Sequence, residues 1–165
     1  MKNNLFVLAL TAILMVGCSR SEEPEEVRID QLLRVYYKDT EGRDLIAEWQ
    51  KAGADPMRWE DLLAIRAGEN VNYLNRKDSL GINFIEYQAG ATRVETSEGS
   101  VSDRSFITQI RINYSTDSLE QVRSDTLQIR YVLSPNTFFI SEVHYNQKLL
   151  PMAPFGNANV VTVVK

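Results

Sequence analysis

The sequence is poor in the residues that build most recognisable sites. It holds one Cys and one His among 165 residues. One Cys closes no intramolecular disulfide, and one Cys with one His cannot form a Cys/His zinc cage. No metal or cofactor is expected. The eight glycines are scattered, and neither GxGxxG nor GxxxxGK occurs, so no glycine loop for phosphates is present. The GxSxG elbow and the HExxH pair are also missing. No run of like charge exceeds two residues. With 18 Lys+Arg against 22 Asp+Glu the net charge is −4, which disfavours a nucleic-acid partner. What remains is an ordinary globular composition, 44% hydrophobic and 24% charged, which excludes a collagen, a wholly disordered chain and a polytopic membrane protein.

The one long apolar run is Leu5 to Val16, broken only by Thr11. A bilayer span needs about 20 apolar residues, so this run is too short for a permanent membrane helix. Behind Lys2 it reads as the core of a secretory signal peptide. Leu14-Met15-Val16-Gly17-Cys18 then resembles the lipobox of bacterial lipoproteins, with Met15 where Leu is usual. That resemblance implies cleavage between Gly17 and Cys18, a diacylglycerol thioether on Cys18, and an acyl chain such as palmitate on the new amine. It assigns 1–17 to a signal peptide. It also removes Cys18 as a catalytic nucleophile. Loss of 1–17 takes away Lys2 and no acid, leaving 17 basic residues against 22 acidic.

Residues 18–26 hold four Glu, one Pro and no apolar residue after Cys18. Such a segment buries too little surface to offset its ordering entropy, and it reads as a lipidated flexible tether. Ser19 stands where an Asp would mark inner-membrane retention in enterobacterial lipoproteins. The acidic cluster is similar to the export signal of Bacteroidota surface lipoproteins. The expected location is the outer membrane, at the cell surface, with its periplasmic face as the alternative.

Residues 27–165 read as a single β domain. Phe106, Thr108, Ile110, Ile112 and Tyr114 alternate along one half-buried strand, and Leu127, Ile129, Tyr131 and Leu133 along another. Leu33, Val35 and Tyr37 form a third set, Ile82 to Tyr87 a fourth and Phe138 to Tyr145 a fifth. Val160 to Val164 is nearly continuous in apolar residues, which predicts a strand buried on both faces. It also suits a tail that completes another subunit's sheet. Asp55-Pro56 followed by Trp59, Leu62, Leu63 and Arg66 predicts one short helix near 56–67, although Asp61 to Ala67 also fits a strand. Short strands with turns between them define an all-β, antiparallel β-sandwich. Tyr37 to Ile46, Asp125 to Tyr131 and Val143 to Asn146 resemble segments of small immunoglobulin-like lipoproteins of Bacteroidota. That resemblance implies an immunoglobulin-like sandwich and supplies no activity.

Few residues propose chemistry. His144 lies on a strand and reads as a surface histidine. Asp39, Glu41 and Asp44 crowd one turn without the spacing of a calcium loop. Trp49 and Trp59 bracket a loop, where indoles stack on sugar rings or pack into the core. Asp78-Ser79-Leu80, Asp117-Ser118-Leu119 and Asp125-Thr126-Leu127 resemble the O-glycosylation motif of exported Bacteroidota proteins, which marks Ser79, Ser118 and Thr126. The expected function is a lipid-anchored, non-catalytic binding or structural module whose partner is a glycan or another envelope protein. The alternatives are ligand capture for a glycan or nutrient uptake system, and an envelope enzyme using paired carboxylates.

Overall fold

The computed structural model describes residues 28–51, 57–66, 68–96, 103–115, 122–156 and 158–165. Cys18, Gly17, the tether and Ser118 lie outside these residues. Two β-sheets pack face to face as an all-β sandwich. The larger sheet holds β1 (Arg28–Asp30), β3 (Arg58–Asp61), β4 (Glu69–Asn70), β7 (Val94–Thr96), β8 (Arg104–Ser115), β9 (Val122–Ser134), β10 (Thr137–Tyr145) and β11 (Lys148–Leu149). Its main path runs β1-β10-β9-β8-β3-β4. The smaller sheet runs β12-β13-β2-β6-β5. Its strands are β2 (Leu33–Lys38), β5 (Leu74–Lys77), β6 (Asn83–Tyr87), β12 (Ala153–Phe155) and β13 (Ala158–Val164). Most ladders are antiparallel. The pairs β1–β10 and β13–β2 are parallel.

The alternation read from the sequence is the alternation of burial. Ile110, Ile112, Leu127 and Ile129 are fully buried, and Leu33, Val35 and Tyr37 meet them from the other sheet. In β10 the inward parity changes. Ile140 faces the core, and then Val143 and Tyr145 do, because the register shifts between Ile140 and Glu142. A bulge adds one residue, so a period-2 pattern cannot run through it. Each end of the core is closed by a cation on aromatic rings. Arg93 lies 4.7 Å from the Tyr131 ring centre and 5.0 Å from that of Phe138. Lys165 closes the other end over Tyr114.

Two expectations are corrected. The described helix is α1 (Leu45–Lys51), not a segment near 56–67. Asp44 caps it, with Ala47 N–H donating to Asp44 Oδ1 at 3.1 Å, and Ile46 and Trp49 turn inward one turn apart. At 58–61 the chain is strand. Trp59 pairs with Ile112 of β8 and packs between the sheets, and this tertiary pairing overrides a weak local helix preference. Residues 62–66 bend, because Asp61 Oδ1 accepts from Leu63 N and Oδ2 from Thr92 N. The second correction concerns β13. Val161 and Val163 are buried, but Val160 is half-buried and Val164 exposed, so it is one-sided. It pairs with β2 and β12 of its own chain, which removes the basis for a tail donated to another subunit's sheet.

Candidate functional site

The outer face of the smaller sheet carries a cleft of about 730 Å³. Its construction follows from strand register. On β6, Ile85 and Tyr87 face the core, so Phe84 and Glu86 must face outward. Both are nonetheless buried, at 3% and 5% exposure, because long side chains of β2 and β5 fold over them. Arg34 pairs with Glu86 across β2–β6, and Arg76 with Phe84 across β5–β6. Glu86 bridges the two arginines, at 3.4 Å from Arg34 Nε and 2.8 Å from Arg76 Nε. Tyr36 leans on Phe84 with ring centres 5.4 Å apart, and the Arg34 guanidinium lies 5.1 Å from the Phe84 centre. Lys77, Asp78, Ser79 and Leu80 complete the rim.

The rim is a tight turn held by Asp78. Its Oδ1 accepts from Leu80 N and Ile82 N, each at 2.9 Å, and its Oδ2 accepts from Tyr36 OH at 3.3 Å. The Ile82 backbone bond does most to hold the Asp78 carboxyl below its ordinary value, against a smaller opposing effect of desolvation. Gly81 follows at φ +79°, a left-handed position that suits glycine. Ser79 is therefore presented at an exposed hairpin tip beside the cleft. The two carboxylates of the cleft are both engaged, Asp78 by backbone N–H groups and Glu86 by two arginines.

A second cluster sits where the core opens. On β9 the inward positions 127, 129 and 131 are apolar, yet the next inward position is Asp125, opposite buried Ile112. An inward carboxylate must be paired. It accepts from Tyr145 OH at 2.7 Å and Asn146 Nδ2 at 2.6 Å, and it binds the Lys165 ammonium. Lys165 also meets Tyr114 OH. Burial pushes the Asp125 carboxyl up, but bonds from Asn146, Lys165, Tyr114 and Tyr145 outweigh it and hold the group well below the carboxylate range. Burial pushes the Lys165 ammonium down, opposed by Asp125.

Asp125→Ala is expected to cost about 2–3 kcal/mol, because it leaves a half-buried ammonium and a tyrosine hydroxyl without their acceptor. Urea unfolding at neutral pH measures it. The sign with pH follows from the depressed carboxyl. Its contribution is whole above the ordinary value of 3.8 and is lost as pH falls from there through the lower folded value. The stability gap between wild type and Asp125→Ala should therefore narrow in acid. A gap that is equal at pH values near 6 and 2.5 would refute the assignment.

The remaining sequence candidates fall in varied places. Trp49 and Trp59 are core residues at 9% and 1% exposure, which corrects their reading as ligand contacts. Trp49 lies 5.2 Å from Tyr114, and Trp59 5.1 Å from Tyr73 and 5.9 Å from Tyr87. Thr126 is half-buried within β9, with its N–H bonded to Asn146 Oδ1. It lines a shallow polar cleft on the larger sheet with Gln109, Gln128 and His144. His144 is 3.0 Å from Glu142 on the same strand. Asp39 staples its loop through Glu41 N and Arg43 N, while Asp44 turns away to the helix and to Asn83. These acids do not converge. Among the described residues no three or more His, Cys, Asp or Glu form a group fit to hold a metal ion, and no helix is long and apolar enough to cross a membrane.

The cleft residues Arg34, Tyr36, Arg76, Phe84 and Glu86 were not singled out by the sequence. The available signal was the adjacent pair Phe84 and Ile85, apolar residues at successive positions of a strand and so on its opposite faces. The Asp125 cluster had a clearer signal, a carboxylate at the inward parity of an alternating strand. No protein-family model, curated protein or solved structure matches the chain.

Proposed function

We propose that the protein is a lipid-anchored, non-catalytic binding module of the outer membrane, displayed at the cell surface, that captures a ligand in the cleft between β2, β5 and β6. The anchor rests on the lipobox at Cys18 and the acidic tether behind it. The single observation that carries the binding reading is the cleft itself. It combines a half-exposed tyrosine on a buried phenylalanine with Arg34, Arg76 and Lys77. Aromatic rings offer a face for sugar rings, and arginine forks suit carboxylates. The engagement of Asp78 and Glu86 supports binding rather than paired-carboxylate hydrolysis, which requires one free acid and one free base. The expected ligand is an acidic saccharide.

The test is calorimetric titration of the protein with matched acidic and neutral oligosaccharides. Binding of the acidic series, reduced about tenfold or more by Arg76→Ala, is the expected result, since charge-assisted pairs contribute about 1.5–3 kcal/mol. Equal binding of the neutral series would overturn the acidic ligand, and no binding of either would return the molecule to a structural role.

A further inference from the structure

The Asp125 cluster has the form of a receptor for an ammonium ion, with the chain's own lysine as guest. Lys165 Nζ lies 3.7 Å from the Tyr114 ring centre, 5.4 Å from that of Tyr145 and 5.9 Å from that of Tyr37. A cation within about 6 Å of an aromatic face is attracted by the ring quadrupole, and more strongly when desolvated. Asp125 adds the opposite charge. Trp49 backs the cage, 5.2 Å from Tyr114 and 5.6 Å from Tyr37.

The walls and the guest come from different elements. Tyr37 is on β2, Tyr114 on β8, Asp125 on β9 and Tyr145 on β10. Besides Lys165, Asp125 accepts from Tyr145 OH and Asn146 Nδ2, so the lysine is one of several donors on this carboxylate. The guest follows the end of β13. Its backbone is tied there by Lys165 N–H to Lys38 O at 2.9 Å, and the neighbouring Val164 is exposed. A plain structural plug would need no charge, because apolar residues often replace a buried ion pair at no loss of stability. Three rings and a carboxylate around one ammonium are instead the groups that select a cation.

We propose that Tyr37, Tyr114, Tyr145 and Asp125 form a binding site for a primary alkylammonium group, which Lys165 occupies in place of the external ligand. The site is occupied while the Lys165 side chain lies on Asp125, and an external ammonium takes its place when that side chain leaves, with the backbone of β13 still paired to β2. Asp125 needs an N–H to accept, so a primary ammonium is preferred over a quaternary one. This inference is independent of the saccharide cleft on the opposite face of the smaller sheet.

The experiment is an NMR titration of the full chain and its Lys165→Ala variant with n-butylammonium chloride, against sodium chloride at equal ionic strength. Saturable shifts in Lys165→Ala, with an apparent affinity about tenfold or more above wild type, are expected, the difference being the cost of displacing the internal guest. Asp125→Asn on that background should abolish them, and tetramethylammonium should bind more weakly. Equal response of wild type and Lys165→Ala, or none in either, overturns the proposal. If Lys165→Ala does not fold, the wild type decides. Its Lys165 Hε protons should be shifted upfield by the rings and should move saturably toward free-lysine values as butylammonium is added. Unshifted or unmoved protons overturn the proposal. Cadaverine and a lysine-bearing peptide then separate a free amine from a partner's lysine.

Discussion

Cys18→Ser is expected to move the protein from the membrane fraction to the soluble fraction completely. Each buried CH₂ of an acyl chain contributes about 0.8 kcal/mol to membrane affinity, and stable anchoring requires two chains or a chain with a basic patch. The segment after Cys18 is acidic, with Glu22, Glu23, Glu25 and Glu26, so it supplies no basic patch. Acidic residues close to an anionic surface are repelled. In the proposed reading the acidic segment does not compensate for losing the thioether, and no helix among the described residues is long and apolar enough to span a bilayer. Fractionation of cells carrying wild type and variant, followed by immunoblotting, measures the change. Retention of the variant in membranes after a high-salt wash would show that another feature holds the protein there.

Trp59→Ala is expected to destabilise the fold by about 3–5 kcal/mol, the range for removing a large aromatic from a core. Trp59 is 1% exposed and belongs to the four-residue strand β3. Its indole touches Tyr73 and, across the sandwich, Tyr87. Among the described residues its ladders run to β8 and β4. Removing the indole leaves a cavity between two sheets that cannot collapse without breaking that ladder. In a domain of this size the midpoint of thermal unfolding should drop by roughly 8–16 °C. Urea unfolding gives the free energy directly. A loss below about 1 kcal/mol would mean that the indole is not a wedge between the sheets.

The strands with clean alternation were legible in the sequence, and their legibility has a cause. Residues 106–114 and 127–133 run along the middle of the larger sheet, with one face on the core, so side-chain chemistry repeats every two residues. Legibility failed where a local irregularity carried the structure. The bulge in β10 breaks the period between Ile140 and Glu142. The helix at Leu45–Lys51 is too short to show a helical period, and its cap, Asp44, sits in what reads as a hairpin turn. The strand around Trp59 follows an Asp-Pro pair that mimics a helix start, and only its pairing with Ile112 reveals it.

The two candidate sites differ in the same way. Asp125 breaks an otherwise apolar inward series, so a polar exception on one strand points to it. The cleft at Arg34, Tyr36, Arg76 and Phe84 is assembled from three strands whose order in the sheet is β2-β6-β5. No single segment contains it. Residues 34 and 86 become neighbours only through an antiparallel register that short-range pattern cannot supply. Exposed Ser79 beside that cleft was legible as a turn residue, since Asp-Ser-Leu before Gly81 is turn chemistry whatever else it marks.

The central claim is that this β-sandwich is a lipoprotein held at the membrane through Cys18. Mass spectrometry of the N-terminal peptide of the protein isolated from membranes tests it most directly. The expected peptide begins at Cys18 and carries a diacylglyceryl thioether on Sγ. A peptide with a free Cys18 thiol, or one that begins at any other residue, would contradict it.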